Sequence, residues 1–182
     1  VQYVKASVYD LPQIFDAEFD IVLFRAVYYH LKNPFGAFEA IGRISAPGAL
    51  LCTEGEALRF YAETLDGKPS YDETLRKIAD WDIPVMLFYP GNYKSGENWN
   101  VPNLACFRGW MTGAGFNVRQ EHIWEDRDIN GQRFKITAVR TDKAIAIEHS
   151  VLEKGWRSQI SGEVVKGQFI QSDRLNTLPK RD

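Results

Sequence analysis

The chain reads as an α/β protein built on a sheet with parallel strands, and three observations predict it. FDIVLF, Phe19 to Phe24, is a short, nearly unbroken apolar run, the pattern of a parallel strand covered on both faces. It stops at a polar and aromatic cluster, Arg25, Tyr28, Tyr29 and His30, and a helix follows Asn33-Pro34. Further on, Pro47-Gly48 turns the chain into a second apolar strand, ALLCTEG. Near the end, NVRQEHIWED and QRFKITAVR flank Asn130-Gly131, the strongest short hairpin signal, so the last strand runs antiparallel to its neighbour.

Composition bounds what such a protein does. Of 182 residues, 45% are hydrophobic and 25% charged, enough for one well-filled globular core. The formal net charge of -2 gives no global electrostatic footprint for nucleic acid. Cys52 and Cys106 are far apart and read as buried free thiols rather than a disulfide framework. The chain has no long apolar run of membrane-spanning length, and VQYVKASVYDLP is not a signal peptide, so a cytoplasmic location with no membrane contact is expected. His30, His122 and His149 are too scattered to suggest a metal site, and nothing forms a dinucleotide pyrophosphate loop.

Taken in order, residues 2–8 are expected to form a short strand, with Ser7 to Asp10 the loop at its carboxyl end. Gln13 to Glu18 form a brief helical turn, and the central strand follows. FGAFEAIGRI places Phe35, Phe38 and Ile41 on one helical face. Residues 49–55 form the next strand, with Glu54 and Glu56 at its carboxyl end, where ligands bind in open α/β sheets. ALRFYAETL and SYDETLRKIADW read as helical, with Ser70 and Glu73 a capping box. VMLFYPGNYKSGENWNVPN is dense in aromatics, glycine and asparagine, the composition of a lid or of a packed surface loop. Pro102 starts a helix over Leu104–Thr112, Gly115-Phe116 ends it, and strands at 117–126 and 132–140 follow. A helix around Ala144–Trp156 and a polar tail close the chain.

The run from Phe19 to Pro34, followed by SAPGALLCTEG, resembles the fourth and fifth strands of class I S-adenosylmethionine-dependent methyltransferases. Ala49 stands where that family commonly has a second glycine. The resemblance implies a Rossmann-like sheet with an antiparallel last strand. No G-x-G-x-G precedes Phe19, so a partial domain is expected, lacking the N-terminal strands and glycine-rich loop. Residues 1–142 would be that domain, 57–103 a substrate-cover insertion, and 143–182 a C-terminal extension through which a homodimer could form. A narrower likeness, YPGNY…NWNVPNLACFRGWMTGAGFNV, links the chain to the methyltransferases that modify the carboxymethylated tRNA wobble uridine.

The resemblance assigns S-adenosyl-L-methionine as cofactor, with Val8 and Tyr9 at its adenine and Arg25 and Ala26 beside its methionine portion. Tyr29 and His30 would lie near the methyl acceptor as catalytic residues, and Glu54, Tyr93 and Arg133 would bind substrate. The residue chemistry leaves alternatives open. Arg25 offers a fork for a carboxylate, or for a structural ion pair with Asp20 or Glu54. His30 can act as a base near neutral pH, or brace its loop through backbone carbonyls. The expected activity is methyl transfer to an unidentified acceptor, most simply a small molecule. The alternatives are tRNA wobble-uridine modification with a carboxylated cofactor, or a non-catalytic remnant of a methyltransferase.

Overall fold

A computed structural model of the chain describes residues 3–15, 18–94, 96–126 and 131–141, together with two short strands at 164–165 and 168–169. The chain divides into two units, Val1–Ala144 and Ile145–Asp182. The first is built on a four-stranded sheet with strands β1 (Phe19–Arg25), β2 (Ser45–Ala57), β8 (Gly131–Arg140) and β7 (Phe116–Asp126), in the order β1-β2-β8-β7. β1 and β2 run parallel, and β8 lies antiparallel between β2 and β7. In the second unit, β9 (Val164–Val165) pairs antiparallel with β10 (Gln168–Phe169). The helix expected around Ala144–Trp156 and the Asn130 side of the final turn lie outside the described residues.

The crossover between β1 and β2 is helix α2 (Pro34–Arg43), and helix α4 (Leu104–Gly113) leads into β7. α2 begins where expected, because Asn33 accepts a hydrogen bond from Gly36 N at 3.0 Å and Pro34 occupies the first turn, where no intrahelical N–H is needed. Both helices cover the same face of the sheet. Phe24, Leu51, Phe134, Ile136 and Ala138 point at that face and meet Phe38, Ile41, Phe107 and Met111 from the helices. The aromatic rings pack edge to face, with Phe38 5.3 Å from both Phe24 and Phe107.

The expectation that β1 is covered on both faces is not met among the described residues. Strand alternation sends Val22 and Phe24 to the helical side, while Ile21 and Leu23 remain 61% and 69% exposed on the other. The expected strand at residues 2–8 is also absent. Residues 3–7 have no regular structure and pair with no strand among the described residues, and Val8–Asp10 form a 3-10 turn that runs into the short helix α1 (Leu11–Ile14).

Residues 58–103 form a layer of their own. The helix expected over ALRFYAETL is replaced by the end of β2 and by β3 (Tyr61–Glu63), which pairs with β4 (Pro69–Tyr71). Ser70 lies in that ladder opposite Ala62, so it cannot cap. Asp72 caps helix α3 (Glu73–Ala79) instead, accepting from Thr74 N at 2.7 Å. The aromatic, asparagine-rich stretch becomes a hairpin of β5 (Met86–Tyr93) and β6 (Asn98–Pro102). Leu58, Tyr61, Ala79, Tyr89, Tyr93 and Val101 form its separate core.

One asparagine joins this layer to α4. Asn103, rather than Pro102, caps the helix. Its Oδ1 accepts from Cys106 N at 2.9 Å and Val85 N at 3.1 Å, while its Nδ2 donates to the carbonyls of Ile78, Trp81 and Ile83. The side chain is fully buried, so its loss removes the acceptor of Cys106 N and Val85 N and a donor to the three carbonyls. Asn103→Ala is expected to lose roughly 2–4 kcal/mol in urea unfolding, a lost cap plus orphaned buried groups. Asn103→Asp keeps the acceptor and should fall between. A loss for Asn103→Ala below about 0.5 kcal/mol would sink this account.

Candidate active site

The site forms at the carboxyl ends of β1 and β2, beneath the β5–β6 hairpin. β1 pairs with β2 through Arg25 opposite Glu54, and the N–H of Ala26 still donates to Glu54 O at 2.8 Å. The backbone then leaves the sheet abruptly. Ala26 has φ 54°, a left-handed conformation that costs a non-glycine residue about 1 kcal/mol and is held by its surroundings. Val27 to Leu31 follow as a tight 3-10 turn, with His30 N on Val27 O and Leu31 N on Tyr28 O.

That turn drives Tyr28 into the core. Its ring is fully buried against Phe107, Trp110 and Phe134, and its hydroxyl donates to the carbonyl of Glu56. Burial holds the phenol well above its ordinary pKa, and the nearby Glu56 carboxylate adds to the effect. Gly55 is required opposite it, because a Cβ there would lie 2.3 Å from the tyrosine ring.

Arg25, Glu54 and Arg133 come together as one ion network. Arg25 Nε donates to Glu54 Oε2 at 3.1 Å, and Arg133 Nη2 reaches Oε1 of the same carboxylate at 3.2 Å. The Arg25 hydrogen bond is the main reason the Glu54 carboxyl is held below its ordinary range. The Arg25 side chain is 59% exposed, and its Nη1 edge has no partner among the described residues. Beside the network, on the sheet face opposite the helices, an open groove of about 290 Å³ runs past Leu23, Cys52, Lys135 and Thr137.

Tyr29 and Tyr93 meet in a second recess, with Glu56, Asn98 and Asn100. Asn100 fastens the hairpin to the turn, its Nδ2 donating to Tyr28 O at 3.2 Å and Leu31 O at 2.9 Å. Asn98 donates from Nδ2 to Tyr93 O at 3.1 Å. Lys94 sits at the edge, its ammonium on Glu56 and 5.3 Å from the ring centres of both Tyr61 and Tyr93. Burial, and then the Glu56 charge, push the Tyr93 phenol far above its usual range, so it stays neutral.

The other expected residues flank these groups. His30 is exposed, and its Nδ1 lies 3.2 Å from the carbonyl of Glu97 in the hairpin. A carbonyl only accepts, so Nδ1 carries the proton and Nε2 is the basic nitrogen of the neutral ring. Val8 packs half-buried on the core, and Tyr9 donates its hydroxyl to Asn33 O at 3.1 Å, fixing the 3-10 turn beside the start of α2. The sequence placed Glu56 with Glu54 at the ligand end of the strand but did not single out Asn98, Asn100 or Lys94. The signal was present in Asn98-Trp99-Asn100, since two amides at i and i+2 share one face of a strand. Among the described residues no group of His, Cys, Asp and Glu could hold a metal ion, and no helix is long and apolar enough to cross a membrane.

In the order β1-β2-β8-β7, β8 alone is reversed, which is the antiparallel last strand that the resemblance to class I methyltransferases implies. Solved structures share this fold. One is a protein of Listeria monocytogenes described as an S-adenosylmethionine-dependent methyltransferase, 11% identical, with a TM-score of 0.52 over 78% of this chain and 70% of that one. Another is described as a methyltransferase of Bacillus halodurans, 13% identical, with a TM-score of 0.50 over 77% and 71% of the two chains. A third is the (4+2)-cyclase SpnF, 12% identical, with a TM-score of 0.50 over 76% of this chain and only 56% of its own length. No curated protein sequence matches. Residues 1–53, however, match the family described as a methyltransferase domain. Family match and fold agree: the first 53 residues match a methyltransferase domain, and the sheet shares the fold of solved structures described as S-adenosylmethionine-dependent methyltransferases.

The ion network makes a pH prediction. A carboxyl whose folded pKa is lowered stabilises the fold above its unfolded value, and that stability is lost as pH falls through the folded one. Wild type should therefore exceed Glu54→Gln by roughly 1 kcal/mol at neutral pH, since Arg25 is well solvated. The gap should close on acidification below the ordinary carboxylate range. Thermal melts of both proteins across pH check it, and a gap that persists unchanged into strong acid would count against the network.

Proposed function

We propose that this chain carries out methyl transfer from S-adenosyl-L-methionine to a small-molecule acceptor bound under the β5–β6 hairpin. The observation that carries the reading is the methyltransferase-domain match over residues 1–53, because it spans the Val8–Asp10 turn, β1, the Arg25–Leu31 loop and α2. These are the elements that converge at the carboxyl end of the sheet, where an α/β protein binds its ligand.

The residues present fit the cofactor chemically. Val8 offers an apolar surface for an adenine ring, and Tyr9 holds that turn in place through Asn33. Arg25 keeps one edge of its guanidinium uncommitted, which suits the carboxylate of the methionine portion, while Glu54, itself bonded by Arg133, holds the other edge in position. The small side chain of Ala26 and its left-handed turn leave the loop backbone approachable. When bound, the cofactor supplies an electrophilic methyl group with its leaving group built in, so alignment and dryness matter more than acid–base strength.

On the acceptor side, Tyr29 and Tyr93 supply the walls and the hairpin the roof. His30 stands next to Tyr29, its ring centre 4.6 Å from the tyrosine ring, with Nε2 available to take a proton from an acceptor. Glu97 holds that ring in the required tautomer through its backbone.

Calorimetric titration of the 182-residue chain with S-adenosylhomocysteine tests the proposal. Saturable binding is expected, weakened about tenfold in Arg25→Ala by loss of a charge-assisted contact. A folded sample that gives no binding heat at millimolar ligand would overturn the reading for this chain.

A further inference from the structure

The recess under the hairpin is chemically one-sided. Asn98 and Asn100 line it, and the amide oxygen of each is buried without a hydrogen-bond partner among the described residues. Their orientation is fixed, because each side chain spends its NH2 on backbone carbonyls, Asn98 on Tyr93 O and Asn100 on Tyr28 O and Leu31 O. Asn100 is only 1% exposed, so its oxygen has no recourse to bulk solvent. An unpaired buried amide oxygen is destabilising, and two of them on residues that line one recess are an unmet demand.

The remaining lining sharpens what would meet it. Glu56 adds a carboxylate, already held by Lys94, and Tyr29 and Tyr93 contribute flat aromatic surfaces. The space open to a water-sized group is about 10 Å³, which limits the recess to a single small polar group. A charged ammonium would meet Lys94 at the edge. A neutral group with two N–H donors would face two acceptors and no like charge.

We infer that this recess anchors a neutral NH2 group, an aryl amine or a primary amide, of the molecule that accepts the methyl group. The inference rests on the proposed function for its biological sense, since that reading makes the recess the acceptor side. The anchoring itself is a matter of hydrogen bonds and stands or falls separately. The two N–H bonds point to the oxygens of Asn98 and Asn100, and the flat body of the ligand extends past Tyr29 and Tyr93 towards the mouth.

Benzamide and acetophenone are suitable probes, being nearly the same shape with NH2 in one replaced by methyl in the other. Binding is followed by nitrogen-15 NMR of the side-chain amides of the full chain, without cofactor. Benzamide should shift the Asn98 and Asn100 signals and bind at least tenfold more tightly than acetophenone, because a site built for an N–H donor rejects the analogue lacking it. Asn98→Ala should abolish that preference, and it leaves the Asn100 anchors to Tyr28 and Leu31 in place. Equal binding of the two probes, or no shift with benzamide in the millimolar range, overturns the inference. So does a crystal structure in which one water bridges both oxygens and stays there in the presence of benzamide. If S-adenosylhomocysteine binds while the amide preference is absent, the inference fails and the methyl-transfer reading survives. The converse result removes the reading and leaves an amide-binding recess.

Discussion

Everything at this site depends on where one phenol is put. Tyr28 is the first large side chain after β1 leaves the sheet, and its ring fills the space between the sheet and α4. Its hydroxyl ties the end of β2 through Glu56, and its own carbonyl receives Asn100 from the hairpin. Three elements far apart in sequence are thereby held by one residue that is closed to solvent. Gly55 is the matching constraint, because the ring occupies the space that any side chain at that position would need. A core residue thus sets the geometry of a surface loop, and Tyr29 and His30 inherit their directions from it.

The polar groups around this point are sorted by kind. On the sheet side, Arg25, Glu54 and Arg133 form a charged network at the solvent boundary, where ion pairs contribute little stability but supply orientation and field. Under the hairpin, the lining is mostly amides and phenols, with the Tyr93 phenol pushed far above its usual range by burial.

Much of the fold was legible in the sequence, for physical reasons that differ by element. Phe19–Phe24, α2 and the two last strands were visible as elements because apolar runs and cap chemistry agree with the tertiary structure, although β1 is covered on one face only. The insertion was not. ALRFYAETL has helical composition, yet Ala57 and Leu58 continue β2 into the core and Tyr61 joins a ladder, so burial overrode propensity. Residues 3–7 failed in the opposite way, since a strand-like composition pairs with no strand among the described residues. Of the candidate site, the positions of the Arg25–His30 cluster at a strand end and of Tyr93 in an aromatic stretch were legible. For Asn98 and Asn100 the i, i+2 spacing was legible, but which of their atoms are left unpaired was not, because that follows only from the carbonyls they meet.

The way the hairpin is held has a consequence for how such a protein could diversify. Asn100 grips the carbonyls of Tyr28 and Leu31, the carbonyl of Glu97 receives His30, and Leu58 N donates to the carbonyl of Pro102. On the receiving side these are all main-chain groups, present whatever side chain the position carries. The clasp is therefore indifferent to most substitutions along the wall it closes. Residues that meet the ligand can be exchanged over evolutionary time while the roof keeps its seat, so one scaffold can be refitted to new acceptors without first being refolded.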